Sequence, residues 1–293
     1  MRPFEYFEPS TLGEAFDLLH QYGDKAKVLA GGTDLIVQMK QGKVHPQAMI
    51  CLRNLNELNF VEVTSGESSG LRLGPMTPLS MIATTPLLPE RLTILREAAL
   101  AIGDVQIRNA ATIGGNLANA SPSADMVPAL LALGARVRIQ KKGAERIIDL
   151  ENFYSGPFVS RLTPEELIVE ISVLPIPEGS GAYLWVPKRT SVDETLVGVG
   201  AWLTCDIKKK TCLEASLALN SVSPFPIRAR NAETFLQGKE LKHDHFQKAG
   251  EIAAREVSPR SRAEYRRKIV SILVEKTLEQ AWKRAGECTE REI

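Results

Sequence analysis

The stretch at 106–135, QIRNAATIGGNLANASPSADMVPALLALGA, decides how this chain is read. At its centre the pair Gly114-Gly115 is flanked by Thr112, Ile113 and Asn116. A run of small residues follows, with Asn119, Ser121, Ser123 and Asp125 in it. From Met126 to Leu133 the stretch turns apolar and reads as a buried helix closed by Gly134. A second glycine pair lies upstream in VLAGGTDLIVQMK, at 28–40. There Lys27-Val28-Leu29-Ala30 reads as a short buried strand, Gly31-Gly32-Thr33-Asp34-Leu35 as a loop, and residues 36–40 as a short helical segment. Glycine lets backbone N–H groups converge on an anion, and Thr33, Thr112 and Asn116 add side-chain donors. The two loops therefore read as halves of one phosphate-binding site. Neither is a dinucleotide or P-loop fingerprint, because the chain has no GxGxxG and no glycine loop ending in Gly-Lys-Ser or Gly-Lys-Thr. The nearest approach, Gly198-Val199-Gly200, is followed by Leu203 where a third glycine is needed, and reads as a packed strand.

Working outward, residues 11–23 predict an amphipathic helix with Ser10 or Thr11 as N-cap, Glu14 in the first turn and Gly23 as the stop. Residues 48–82 hold short strand-like pieces, and 92–103 return to a helical period. Strand-like Arg136–Ile139 follows the buried helix. Beyond Pro175 and Pro177 the pattern changes. Residues 195–206 and 213–219 alternate like antiparallel strands, and 245–285 are mostly helical with an apolar stripe. The segment Pro175–Gly179 is the expected domain boundary.

Composition narrows the function. At 293 residues and 44% hydrophobic content, the chain can form two or three cored lobes. A net charge of +1, from 36 basic and 35 acidic residues, supplies no field for nucleic acid. The N-terminus lacks a signal-peptide pattern and no stretch approaches the roughly 18 apolar residues of a membrane span, so a cytoplasmic location is expected. The four cysteines, Cys51, Cys205, Cys212 and Cys288, have no cluster-ligating or zinc spacing.

The two glycine segments closely resemble the flavin diphosphate loops of the molybdopterin-dehydrogenase FAD-binding family, the flavoprotein components of molybdenum hydroxylases. The resemblance extends through TPEELIVEISVLP at 163–175 and SRAEYRRKIVSILV at 261–274 to nearly the whole chain. It implies an α+β fold. A two-lobed FAD-binding domain of the vanillyl-alcohol-oxidase or p-cresol-methylhydroxylase (PCMH) type, with lobes at 1–55 and 56–177, precedes a carbon monoxide dehydrogenase flavoprotein C-terminal α/β domain at 178–293. By the same resemblance, Lys27–Leu35 wraps the diphosphate and adenosine side and Thr112–Asn116 supplies a second set of donors. Asn119, Ser121, Ser123 and Asp125 line the ribityl and nucleotide region, and Ile168 packs near the ring.

The family places a lysine after an aromatic at the start of the third domain, where this chain has Trp185, then Lys188 and Arg189. Three readings stay open: Lys188 reaches the flavin after a local shift, Trp185 covers the ring, or both are surface residues. Covalent flavin attachment in the wider superfamily uses a His or Cys near the loops. His20, His45, His243 and His245 lie outside both, so non-covalent FAD is expected. With no cluster cysteines and no molybdopterin domain, the implied role is electron transfer between partners: a small subunit with 2Fe–2S clusters, a large molybdopterin subunit, and an acceptor such as NAD. The competing readings are a stand-alone FAD oxidoreductase and a non-catalytic nucleotide-binding module. No residue of this chain is expected to act as an acid, base or nucleophile, and no metal is expected on it.

Overall fold

The computed structural model describes residues 2–64, 69–189 and 194–291, with side chains up to Gly286, so Cys288 lies outside the described side chains. The chain begins with β1 (Glu5–Phe7), α1 (Leu12–Tyr22), β2 (Ala26–Leu29), α2 (Leu35–Lys40) and β3 (Ala48–Cys51). Thr11 caps α1: its Oγ1 accepts the Glu14 N–H at 3.2 Å, while Glu14 Oε2 accepts the Ser10 N–H at 2.8 Å. Both orphan donors are thus satisfied at one end. The buried side of α1, Ala15, Phe16 and Leu19, packs into a core with Ala48 and Ile50 of a parallel sheet ordered β1-β3-β2.

The middle of the chain carries β4 (Val61–Thr64), β5 (Gly70–Leu73), α3 (Leu79–Thr84), α4 (Thr93–Leu100), α5 (Val105–Ala110), α6 (Ile113–Ala118) and α7 (Met126–Ala132). It continues with β6 (Arg136–Lys141), β7 (Ala144–Asp149), the hairpin β8 (Tyr154–Gly156) and β9 (Val159–Ser160), and β10 (Leu167–Val173). Its antiparallel sheet runs β4-β5-β10-β6-β7. All seven residues of β10 are buried because both faces of this central strand are covered. Leu167 and Val169 join the core of the first lobe, whereas Ile168, Ile171 and Val173 join the core beneath the helices. A register shift between Ile168 and Glu170 accompanies that change of face.

The last part contains β11 (Ser180–Pro187), β12 (Thr195–Asp206), β13 (Thr211–Asn220), β14 (Ile227–Arg228), α8 (Arg230–Leu236), α9 (His243–Glu256) and α10 (Ala263–Arg291). Its antiparallel sheet, in sequential order, is packed on one face by α9 and α10 and on the other by α7. The α7 contact explains Gly200, and side chains of the same sheet explain Gly198. A β-carbon on Gly200 would meet Pro128 O at 2.7 Å, and one on Gly198 would meet the Asn220 side chain at 2.1 Å. They are a packed strand, as the missing third glycine requires.

Two expectations fail locally. The second glycine loop, read at 112–116, folds as the N-cap and first turn of α6, directly after α5. Asp104 Oδ1 accepts Ile107 N–H at 2.8 Å, and Thr112 Oγ1 accepts Gly115 N–H at 3.1 Å. The end of the strand-like stretch 48–82 is helical, as α3. Six-residue helices show too few turns for an apolar period.

Candidate functional site

The two glycine loops meet. Gly31 packs directly on the turn between α5 and α6, where a β-carbon would sit 1.9 Å from Ala110 O and 2.9 Å from Ala111 Cα. Gly32 has φ +72°, a left-handed backbone that turns the chain from β2 into α2. On the other side Gly115 faces Ala30, 3.8 Å from its β-carbon position, and Gln38 Nε2 donates to Asn119 Oδ1 at 3.4 Å.

Their hydrogen bonding differs. Among the described residues, the consecutive N–H groups of Gly31, Gly32, Thr33 and Asp34 find no acceptor, while the Gly32 and Asp34 carbonyls accept from Ile36 and Gln38. In the second loop Ile113 N–H donates to Thr77 O, Gly114 N–H to Pro75 O, Gly115 N–H to Thr112 Oγ1 and Asn116 N–H to Thr112 O. The backbone N–H groups of Ile113–Asn116 in this loop are thus engaged within the protein. Its glycines serve close packing instead: a β-carbon on Gly114 would lie 2.5 Å from Pro75 Cβ. What the second loop still offers is the side chain of Asn116, whose Oδ1 is buried without a partner. A buried amide group left unmatched is costly. Four consecutive unmatched amides and that unmatched side chain fit a bound diphosphate with its adjoining hydroxyls, and so fit FAD.

The remaining expected residues have the following surroundings. Lys27 is exposed, Val28 packs on the core of the first lobe and the Leu29 side chain lies against Gly32. Ser121 and Ser123 share a hydrogen bond of 3.1 Å. Ser123 Oγ donates to Glu194 Oε1 at 2.7 Å, and the other oxygen of Glu194 pairs with Lys188 Nζ. Lys188 is thus tied to the Ser121–Ser123 segment, although exposed. Trp185 is half-buried and stacks on Tyr183, with ring centroids 6.0 Å apart. Ile168 is a core residue of β10, in the same buried cluster as Ile113 and Leu117 of the second loop and the helix it opens.

Asp125 differs from the rest of its group. Its carboxylate is turned into the junction with the third sheet, where Tyr183 Oη donates at 2.6 Å and Asn220 Nδ2 at 3.0 Å. Burial pushes this carboxyl above its ordinary value, opposed by those hydrogen bonds. Burial, with the Asp125 charge adding to it, raises the Tyr183 phenol strongly. Tyr183, Glu194, Asn220 and Gln38 were invisible to sequence reading, since Tyr183 stands 58 residues from its partner and no short motif links them.

Other groups have structural explanations. His20 pairs with Glu165 at 3.3 Å, His243 with Glu279 at 3.0 Å, and His245 bonds Glu240 O at 2.7 Å, all away from the loops. In Tyr265-Arg266-Arg267, Arg266 donates to the Leu196 and Ser221 carbonyls and Arg267 to Val257 O, while Tyr265 is exposed. Among the described residues, no helix is long and apolar enough to cross a membrane.

Comparison with known proteins agrees with this geometry. Residues 2–177 match the family model of the FAD binding domain in molybdopterin dehydrogenase, and residues 182–281 that of the CO dehydrogenase flavoprotein C-terminal domain. The chain is 32% identical over 286 residues to the carbon monoxide dehydrogenase medium chain of Afipia carboxidovorans, covering 96% of this chain and 98% of that one. It is 32% identical over 291 residues to the 6-hydroxypseudooxynicotine dehydrogenase complex subunit alpha of Paenarthrobacter nicotinovorans, covering 97% of each. Among solved structures, a chain of the cyanide-inactivated Cu,Mo-CO dehydrogenase superposes with a TM-score of 0.90 at 31% identity, over 97% of this chain and 100% of that chain. With the paired loops, the α+β lobes and the third sheet accounted for together, the chain belongs to the molybdopterin-dehydrogenase FAD-binding family and is the flavoprotein component of an oxidoreductase.

Proposed function

We propose that this chain is the electron-transfer subunit of a molybdenum hydroxylase, holding one non-covalent FAD between its two N-terminal lobes, which we divide at 1–55 and 56–177. The third unit is 178–293. Partners complete the enzyme: a small subunit with 2Fe–2S clusters and a large molybdopterin subunit, where the organic substrate is oxidised. FAD, when bound, converts between one- and two-electron transfer, which suits the step from clusters to an acceptor such as NAD. A cytoplasmic assembly is part of this reading.

The observation that carries it is the set of four unmatched amides from Gly31 to Asp34, held against Ala110 and Ala111 beside the unmatched Asn116 side chain. In the proposed site Gly31–Asp34 bind the diphosphate and Asn116 orients the adjoining hydroxyls. Thr112, Ile113, Gly114 and Gly115 hold the second wall close. Asn119, Ser121 and Ser123 face the ribityl and nucleotide region, Lys188 acts through Glu194, and Asp125 sets the position of the segment. Ile168 supports the ring side from the core. A stand-alone oxidoreductase would need a proton acceptor beside the ring, and His20, His243 and His245 are engaged elsewhere.

The test is to purify the chain with flavin present and measure stoichiometry and release. About one FAD per chain, freed by acid or denaturant, is expected. Flavin that stays with the denatured chain, or none bound by the folded protein, overturns the reading.

A further inference from the structure

The stretch from Pro122 to Asp125 is held from the C-terminal part of the chain. Ser221 N–H donates to Pro122 O at 2.7 Å, Glu194 accepts from Ser123, and Tyr183 and Asn220 donate to Asp125. Ser221 joins these contacts to the rest of the third sheet. It is 9% exposed and has φ +64°, a left-handed conformation that a non-glycine residue rarely adopts. Each of its polar groups is engaged. The N–H reaches Pro122, the hydroxyl donates to Thr195 O at 2.7 Å, and the carbonyl accepts from Arg266 Nη1, which also donates to Leu196 O at 3.2 Å. A strained residue persists where its surroundings determine its conformation. Here those surroundings join three things: the segment after the second loop, the start of β12 beside Glu194, and the first turns of α10.

We propose that Ser221 is a positioning residue for the flavin. Its left-handed backbone sets Pro122–Asp125, and with them Ser121 and Ser123, in register with the glycine loops, so FAD affinity is governed in part from the third sheet. The inference rests on the FAD reading above. It makes the C-terminal domain part of the binding site without requiring any of its atoms to touch the nucleotide.

The full-length chain provides the test, read by the FAD dissociation constant from fluorescence quenching and by the visible circular dichroism of the bound flavin. Ser221→Val cannot hold φ +64°, so its amide turns from Pro122. FAD should bind at least about tenfold more weakly, with an altered dichroism band. Ser221→Gly keeps the conformation and loses only the hydroxyl, and should stay within about threefold of the parent. Ala249→Gly, in the separate core under α9, controls for destabilisation: it should lower the melting temperature and leave the FAD constant unchanged. Should the valine variant not fold, Ser221→Ala replaces it, with an expected weakening between about threefold and tenfold and the same change in dichroism. A valine or alanine variant with parental affinity and spectrum overturns the proposal. So does an equal loss of affinity in Ala249→Gly at matched melting temperature. If the parent chain binds no FAD, it is the underlying reading that falls.

Discussion

At the scale of single residues, the glycines of the two loops do different work. Gly31 is required by a backbone approach, since its β-carbon would lie 1.9 Å from the Ala110 carbonyl oxygen. Neither backbone can yield without parting the loops. Gly115 has only the Thr112 hydroxyl at 3.1 Å and the Ala30 methyl at 3.8 Å before it, and its helical backbone accepts any side chain. We predict that Gly31→Ala weakens FAD binding at least about tenfold, about 1.4 kcal/mol, while Gly115→Ala stays within about threefold. Fluorescence titration of both variants decides it, and equal losses would mean that loop separation is not what matters. Replacing Asn116 by Leu removes the unmatched buried amide. It should raise the melting temperature of the flavin-free chain while weakening FAD. A loss of both would mark Asn116 as structural. The glycines were legible as a pair of loops. Their division of labour was not, because a Gly-Gly dipeptide does not say whether its amides face a ligand or a neighbouring carbonyl.

Among the elements, those with enough turns or enough buried length announced themselves, and the short ones did not. Helix α1 was readable from Thr11, Glu14 and Gly23, and α7 from its apolar run closed by Gly134. The limits of β12 coincide with the predicted alternation at 195–206. By contrast α5 and α6 are too short to show an apolar period, and only the local caps Asp104 and Thr112, each accepting from the third residue on, mark their starts. The start of β10 depends on a longer-range tie. Glu166 is held by Arg146 through two contacts of 2.8 Å and by the Thr163 N–H at 2.8 Å. The Arg146 guanidinium keeps the Glu166 carboxyl below its ordinary value of 4.5 despite its burial. A carboxyl more acidic in the folded than in the unfolded chain contributes stability that is complete above the ordinary value and lost as pH falls through the lowered one. We predict that Glu166→Gln is destabilising at pH 7, and that its deficit against the parent shrinks as the pH is taken below 4.5. Denaturant midpoints across that range measure it. A deficit that does not change with pH would assign the effect to packing instead.

For the molecule as a whole, the proposed role is passage of electrons rather than chemistry on an organic substrate. The lobes present unmatched donors suited to a diphosphate, and His20, His243 and His245 are engaged in ion pairs or backbone bonds away from them. The three recorded free cysteines, Cys51, Cys205 and Cys212, are dispersed: Cys51 ends β3, while Cys205 and Cys212 lie across one hairpin of the third sheet. Burial raises Cys205 to about 11 and Cys212 to about 12, so neither is a ready thiolate near neutral pH. What lay beyond the sequence was how the third sheet is keyed to the flavin segment, because Tyr183, Asn220 and Ser221 meet residues 122–125 only after folding. We predict that the reduced flavoprotein alone exchanges hydride with a nicotinamide or reacts slowly with oxygen. It should leave aldehydes, purines and similar hydroxylase substrates untouched. Adding the cluster-bearing and molybdopterin-bearing partners should let such a substrate bleach the flavin band. An anaerobic absorbance titration, run on the subunit and then on the reconstituted complex, separates the alternatives. Complete bleaching of the isolated chain by an organic substrate would overturn the electron-transfer role and make the chain a stand-alone dehydrogenase. Bleaching only in the complex would place substrate oxidation on a partner and leave this chain the relay.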